Sequence, residues 1–334
     1  MATLGALPEI VESVLDARID EFQWLGHDDR LYSAVYPLNV VIDGQTRPLV
    51  VKTWSNDATY RVQIDALFEA RRVFAGGDGV NIPFVACDAQ SRMLVMERVP
   101  DPSIESLAHC ESSLRGLNFH RWKRRLEQAC FSAGQWLRRW HTHNAHDARI
   151  DDLLGQYVED RHAQLDLLPP NERRALLDLV SGLGRGPVAA VHGDFTPWNV
   201  LWSPDRLTML DFGVNGWPHM TPAWDFCTMK TGLATELLFA TRSPARWLKR
   251  LARGPISAFE HGYGRIDCEP AALDACAVVR HLNLYAADIE SGPALRKRAA
   301  WHRASIRKLL TPHTQHDSRP SSSDGLAHGA GTPR

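Results

Sequence analysis

Three side chains in the stretch Val191 to Gly213 (VHGDFTPWNVLWSPDRLTMLDFG) sit at spacings that suit the transfer of a phosphoryl group: Asp194, Asn199 and Asp211. That chemistry asks little covalent work of a protein. It needs positioning, neutralisation of phosphate charge and a group to accept a hydroxyl proton. Asp194 lies five residues before Asn199. A loop of that length can aim the carboxylate at an acceptor hydroxyl while the amide turns back toward a metal ion. Asp211 opens Asp211-Phe212-Gly213. A carboxylate oxygen is the ligand class that Mg2+ prefers, alongside substrate phosphates. A D-F-G tripeptide alone fits a hairpin with an incidental acid; the ordered combination of Asp194, Asn199 and Asp211 carries the chemical reading.

These groups need elements to hold them. Residues 5–18 read as a short amphipathic helix. Phe22 to Leu25, Tyr32 to Ile42 and Pro48 to Trp54 are rich in aromatic and β-branched residues and read as strands, with Asp43-Gly44 as a hairpin turn. Residues 59–75 turn helical, with Val62, Leu67, Ala70, Val73 and Phe74 as the apolar face and Gly76, Gly77 and Gly79 as the stop. Arg92 to Val99 is a further strand. After Pro100 the pattern is mostly helical. It includes a long segment over 119–143, at least one helix in 150–183 broken at Pro169-Pro170, and three or four helices between 221 and 312. Asn199 to Leu201 and Leu207 to Leu210 flank the turn Ser-Pro-Asp-Arg as a small hairpin. A β-rich part followed by a larger helical part predicts an α+β fold with a cleft between two lobes, where ligand sites tend to sit. The expected division is 1–99, 100–312 and a Ser/Pro/Gly-rich tail over 313–334 that cannot bury enough apolar surface to fold.

The 334 residues can bury a large core, and the length suggests two domains or lobes. The formal net charge of −1 gives no global field toward nucleic acid or a membrane surface. No apolar run reaches the roughly 18 residues of a membrane span. The N-terminus lacks a basic leader region, and six scattered cysteines without a C-x-x-C pair fit reduced thiols, so a cytoplasmic location is expected.

His192-Gly193-Asp194, Asn199 and Asp211 resemble the signature of the aminoglycoside phosphotransferase/choline kinase superfamily, with Gly where most protein kinases have Arg. The resemblance covers about residues 20–310 and is most specific at 191–213. It implies a bilobal protein-kinase-like fold, with a small antiparallel β-sheet N-lobe and a mainly helical C-lobe. It also implies ATP-dependent transfer to a small-molecule hydroxyl. Carried over, Asp194 is the catalytic base, Asn199 and Asp211 are the Mg2+ ligands, and His192 is a structural member of the loop. Lys52, on the expected third strand, matches the lysine that reaches nucleotide phosphates. Glu69, on the following helix, resembles its anionic orienter. Met96-Glu97-Arg98-Val99 looks like the hinge between lobes, with backbone groups around Glu97 and Val99 on the adenine edge. The loop over 26–34 departs from the protein-kinase pattern, since it lacks G-x-G-x-x-G. No Walker A sequence occurs either.

Other signals weigh less. His141, His143 and His146 invite a zinc reading, but they fall at a helix end that favours cations and have no evident fourth ligand. Trp198, Trp217 and Trp224 flank the signature and either line an acceptor pocket or pack in the core. Asp225 resembles a family acid that begins a helix and serves its free amides. From Asp211 to Pro312 there are 14 Lys and Arg against 9 Asp and Glu, and 242–253 holds five bases and no acid. That balance opposes a polycationic acceptor and favours a neutral or anionic one. A non-catalytic nucleotide-binding scaffold remains a second reading. A Ser/Thr protein kinase is a third, disfavoured by HGD for HRD and a missing Ala-Pro-Glu.

Overall fold

The Asp43-Gly44 turn organises the first half of the chain. Both residues have positive φ, 52° and 72°, the combination a two-residue type I′ turn requires, and the flanking strands pair in register from Ile42–Gln45 out to Ser33–Trp54. The computed structural model describes residues 7–29, 33–76, 79–109, 118–213, 218–239 and 245–314. Around the hairpin lie α1 (Leu7–Leu15), β1 (Glu21–Trp24), β2 (Asp28–Asp29), β3 (Ser33–Ile42), β4 (Gln45–Trp54), α2 (Asp57–Val73), β5 (Val80–Asn81), β6 (Ala86–Asp88) and β7 (Met93–Glu97). Six of these strands form one antiparallel sheet in the order β1-β3-β4-β7-β6, with β2 on β3.

Side-chain alternation gives this sheet two apolar faces. Leu38, Val40, Leu49, Val51 and Val95 cluster with Leu7 and Val11 of α1 on one side. Trp54, Leu94 and Met96 cluster with Tyr60, Ile64 and Leu67 of α2 on the other. Asn56 caps α2 by accepting a hydrogen bond from the Thr59 N–H at 2.8 Å.

The helical lobe follows as α3 (Ile104–Ala108), α4 (Asn118–His143), β8 (His146–Arg149), α5 (Ile150–Glu159), α6 (His162–Leu165), α7 (Pro170–Ser181), β9 (Arg185–Ala190), β10 (Val200–Ser203), β11 (Arg206–Met209), β12 (His219–Met220), α8 (Ala223–Phe239), α9 (Ala245–Tyr263), α10 (Pro270–Glu290) and α11 (Arg296–Thr314). The fold is α+β, with an antiparallel sheet first and helices after, as the sequence pattern implies. The expected tail begins inside α11, and residues 315–334 lie outside the described residues. Gly77, Trp217 and the side chains of 240–252, which include most of the basic run, also lie outside them.

Helices α4 and α9 pack backbone to backbone. A Cβ on Gly134 would lie 2.3 Å from the Phe259 carbonyl oxygen, and one on Gly262 would lie 2.1 Å from that of Phe131. On α4, Trp136 stacks on Trp140 and on Phe195, with ring centroids 5.9 and 5.5 Å apart. No helix among the described residues is long and apolar enough to cross a membrane.

Candidate active site

The stretch from Val191 to Gly213 becomes a loop, the β10–β11 hairpin and a second loop. Its aromatic members fix it to the core. His192, Phe195 and Phe212 are buried at 2 % exposure or less, and their rings surround Trp136. Burial pushes the His192 imidazole below its usual range despite three nearby carboxylates, so it sits in the core as a neutral ring. Of the polar residues between these anchors, Asn199 is buried, while Asp194 and Asp211 keep partial exposure. Gly193 has φ +87°, a conformation in which the arginine common at this position in protein kinases would be strained.

Asp194 and Asn199 come together. The Asn199 side-chain amide donates to the Asp194 carbonyl oxygen at 2.9 Å and to Asp194 Oδ2 at 3.1 Å. Nδ2 is thereby committed, and Asn199 presents Oδ1, a hard oxygen donor, on its other side. Two backbone bonds tie the halves of the stretch: Leu210 N–H to Asn199 O at 3.0 Å and Gly213 N–H to His192 O at 2.7 Å. Asp211 adopts φ 57°, an uncommon left-handed conformation for a non-glycine residue and one that concentrates at functional sites.

Lys52 reaches the site from β4. Val50, Lys52 and Trp54 share the face of the sheet turned toward α2, because side chains alternate along a strand. Lys52 is 3 % exposed. Its ammonium donates to Asp211 Oδ1 at 2.8 Å and to Gln63 Oε1 at 3.0 Å. Gln63 is the residue that sequence reasoning missed. The expectation that Glu69 orients Lys52 is corrected by this geometry. Six residues along an α-helix turn the side chain about 240°, so Gln63 and Glu69 cannot both face the lysine. Glu69 instead receives Arg72 and Asn144 and lies 3.4 Å from His143. Its hydrogen bonds from Arg72 and then Asn144 hold its carboxyl down to about 2. The signal was present: Gln63 is a polar residue on the buried stripe Tyr60, Ile64, Leu67, Ala70.

Glu97 ends β7 opposite Leu49, so its side chain projects on the α1 side of the sheet, away from Lys52. Arg98 N–H donates to Pro48 O at 3.0 Å.

Asp225, the third residue of α8, is wholly buried. The N–H groups it accepts belong to the catalytic-type loop and not to its own helix: His192 N to Oδ2 at 2.6 Å and Gly193 N to Oδ1 at 3.0 Å. His141 Nε2 lies 3.2 Å from the same carboxylate, and His141 Nδ1 lies 2.9 Å from the Tyr263 hydroxyl. The three histidines considered for zinc therefore diverge. His141 serves Asp225, His143 lies against Arg72 and Glu69, and His146 faces His219. Trp224 is buried, and its Nε1–H donates to Gly193 O at 3.0 Å. Trp198 is partly buried. One neighbour of Asp194 was not foreseen: Arg280 of α10, whose guanidinium lies 3.5 Å from Asp194 Oδ1.

The arrangement offers a carboxylate at a cleft, oxygen donors of the class that holds Mg2+, and a buried ammonium beside them. This donor set fits a hard divalent cation with a polyphosphate. A family model described as "Phosphotransferase enzyme family" matches residues 37–266. No curated protein sequence matches the chain. Among solved structures, the chain resembles the macrolide 2'-phosphotransferase MphH from Brachybacterium faecium, at 15% identity over 92% of this chain and 99% of that one, with a TM-score of 0.51. It resembles a glucosamine kinase in complex with glucosamine, ADP and inorganic phosphate, at 13% identity over 88% and 94%, TM-score 0.52. It also resembles the choline kinase LicA from Streptococcus pneumoniae, at 12% identity over 92% and 98%, TM-score 0.53. At these identities the likeness is one of fold, that of protein-kinase-like phosphotransferases.

Proposed function

The chain belongs to the phosphotransferase enzyme family, and from that premise we propose that it transfers the γ-phosphate of ATP (or GTP) to a hydroxyl of a small molecule. The observation that carries this reading is the meeting of two pairs. Lys52 and Asp211 join across the cleft at 2.8 Å, and Asp194 and Asn199 join beside them at 3.1 Å.

In this reading Asp194 accepts the proton of the acceptor hydroxyl as the phosphoryl group is transferred. Asn199 fixes the Asp194 carboxylate through Nδ2, and Asn199 Oδ1 and an Asp211 carboxylate oxygen would be the groups to hold Mg2+. Mg2+, when bound, supplies charge neutralisation at the phosphate oxygens. Lys52 exchanges part of its contact with Asp211 for the nucleotide phosphates, and Gln63 holds it in place without adding a competing negative charge. The main chain at Glu97 and Val99 takes the adenine edge. Asp225 acts one layer below by clamping the two amides that precede Asp194. The acceptor is a small hydroxyl compound, and the proposed location is the cytoplasm.

The test is a thermal-shift titration with Mg·ATP and Mg·GTP, followed by γ-phosphate transfer to a panel of sugars, amino alcohols and aminoglycosides. Nucleotide binding with transfer to at least one acceptor is the expected outcome. Absence of binding at millimolar nucleotide sinks the reading. Binding without transfer to any acceptor favours a nucleotide-binding scaffold.

A further inference from the structure

Beside Asp194 lies a buried cation that the chemistry above does not use. Arg280 is 8 % exposed. The carboxylate it approaches is that of Asp194, at 3.5 Å, longer than a close charge-assisted hydrogen bond. Its Nε is buried without a hydrogen-bond partner. A guanidinium is charged at every relevant pH, and burying it with incomplete pairing is costly. The neighbouring residue, His281, supplies no counter-charge: an imidazole is neutral or cationic, and burial keeps this one neutral by lowering it to about 4. A second arginine stands close by. Arg161 lies over the ring of Tyr157, 3.8 Å from its centroid. The Tyr157 hydroxyl accepts from Asn283 Nδ2 at 3.0 Å, and the Tyr157 ring meets the edge of Trp224 at 4.5 Å. Trp224 in turn bonds the carbonyl of Gly193. These groups lie on the α5–α10 side of Asp194, whereas Lys52 and Asp211 lie toward the sheet.

We propose that Arg280 receives an anionic group of the acceptor, a carboxylate or a phosphate, while the acceptor hydroxyl sits on Asp194. The proposal rests on the phosphotransferase reading and narrows its acceptor class. Its physical basis is a buried cation short of partners. A carboxylate has lone pairs enough to accept from a bound hydroxyl and a guanidinium together, but the contact at 3.5 Å and the unpartnered Nε leave Arg280 incompletely paired. An acceptor that brings its own anion meets that need, since a planar guanidinium matches carboxylate and phosphate geometry in a two-point contact. With hydrogen-bond reach of about 3 Å at each end and 3.5 Å between the two protein groups, the acceptor's hydroxyl and anion are less than about 10 Å apart. A hydroxy acid, a sugar acid or a sugar phosphate spans that distance. A polyamine-like acceptor would instead set its ammonium groups against Arg280 and Arg161.

The experiment compares matched acceptors that differ in the anion: glycerate with glycerol, gluconate with glucose, and glucose 6-phosphate with glucose. The first two pairs test a carboxylate and the third a phosphate. The expected result is a preference of at least tenfold in kcat/KM for the anionic member of one pair, with Arg280→Gln reducing that preference at least tenfold and Arg280→Lys restoring part of it. Calorimetric titration of Mg·ATP into Arg280→Gln, with a dissociation constant within threefold of the parent, shows that the variant is folded. If that variant does not fold, malonate replaces it as probe: it should inhibit transfer competitively with the acceptor in the unmodified protein. Preference for neutral or cationic members overturns the proposal and leaves the phosphotransferase reading standing. An equal loss on every acceptor in Arg280→Gln also overturns it, and assigns Arg280 to positioning Asp194. Failure of Mg·ATP to bind removes both.

Discussion

Replacing Asp225 by Asn tests whether the loop carrying Asp194 is held from below. The buried carboxylate accepts three donors: His192 N–H and the His141 ring on Oδ2, and Gly193 N–H on Oδ1. With His141 Nε2–H donating to Asp225, Nδ1 is left to accept from the Tyr263 hydroxyl. Asparagine keeps the shape, so no cavity forms, but it has one acceptor oxygen and an NH2 group. With the oxygen in the place of Oδ2, the NH2 faces the Gly193 N–H, and a buried donor is orphaned at a cost of about 1–3 kcal/mol. The two remaining bonds lose charge assistance, about 1 kcal/mol each. Relief from burying a charge offsets part of this, which leaves a net loss of about 2–4 kcal/mol. Unfolding entropy of about 2.1 cal/mol/K per residue makes that a fall in melting temperature of about 3–6 °C for roughly 300 ordered residues. Gly193 precedes Asp194 directly, so kcat should fall about tenfold or more, equivalent to about 1.4 kcal/mol of barrier. The Mg·ATP dissociation constant should stay within threefold, because Lys52 and Asp211 are not anchored by Asp225. Calorimetric melting and steady-state kinetics read the two effects. An unchanged melting temperature together with unchanged kcat would refute the clamp.

Three further outcomes follow from the structure. Lys52→Ala removes the ammonium that bridges Asp211 and Gln63; the apparent KM for Mg·ATP should rise at least tenfold, about 1.4 kcal/mol, and an unchanged KM would place the phosphates elsewhere. Gly134→Ala gains about 1 kcal/mol of helix propensity, yet its methyl would meet backbone of α9 at 2.3 and 2.6 Å; overpacking should win with a net destabilisation of about 1 kcal/mol or more in urea unfolding, and equal or higher stability would contradict the close contact. His281 and His302 share a hydrogen bond at 2.9 Å, and burial lowers them to about 4 and about 3. Their folded values lie below the unfolded value near 6.5, so the stability they permit is present above pH 6.5 and is lost as pH falls toward 4 and 3. One such imidazole costs about 2 kcal/mol by pH 5. Unfolding free energy that is flat from pH 7 to 5, or rises toward acid, would exclude neutral histidines there.

What could be read ahead from the sequence follows from how local each signal is. Asp43-Gly44 specified its turn because few residue pairs accept two positive φ values. The long amphipathic run in α4 and the Ser-Pro-Asp-Arg turn between β10 and β11 are visible because their signals, helical periodicity and turn-forming residues, are also local. The two-residue strands β5 and β12, and β8, whose residues His146–Arg149 are mostly exposed, carry too little apolar alternation to be seen. The parallel pairing of β5 with β11 joins residues distant in sequence. Glu69 resembles the lysine's orienter by its place on the helix after β4, but it lies off the buried face of α2. The buried stripe runs through Tyr60, Ile64, Leu67 and Ala70, and it carries Gln63 inward. Asp225 was seen as an acid at a helix start, but its service to His192 and Gly193 depends on tertiary packing. Arg280 had no local signature at all, since its approach to Asp194 exists only after α10 folds onto the loop.

The central claim is that Asp194 serves the acceptor hydroxyl and not the nucleotide. The most direct measurement is turnover and nucleotide affinity of Asp194→Asn with a phosphorylated acceptor in hand. A Mg·ATP dissociation constant close to that of the parent, with kcat reduced about 10²- to 10⁴-fold, the range for loss of a general base, is the predicted result. Parent-like turnover in that variant would contradict the account.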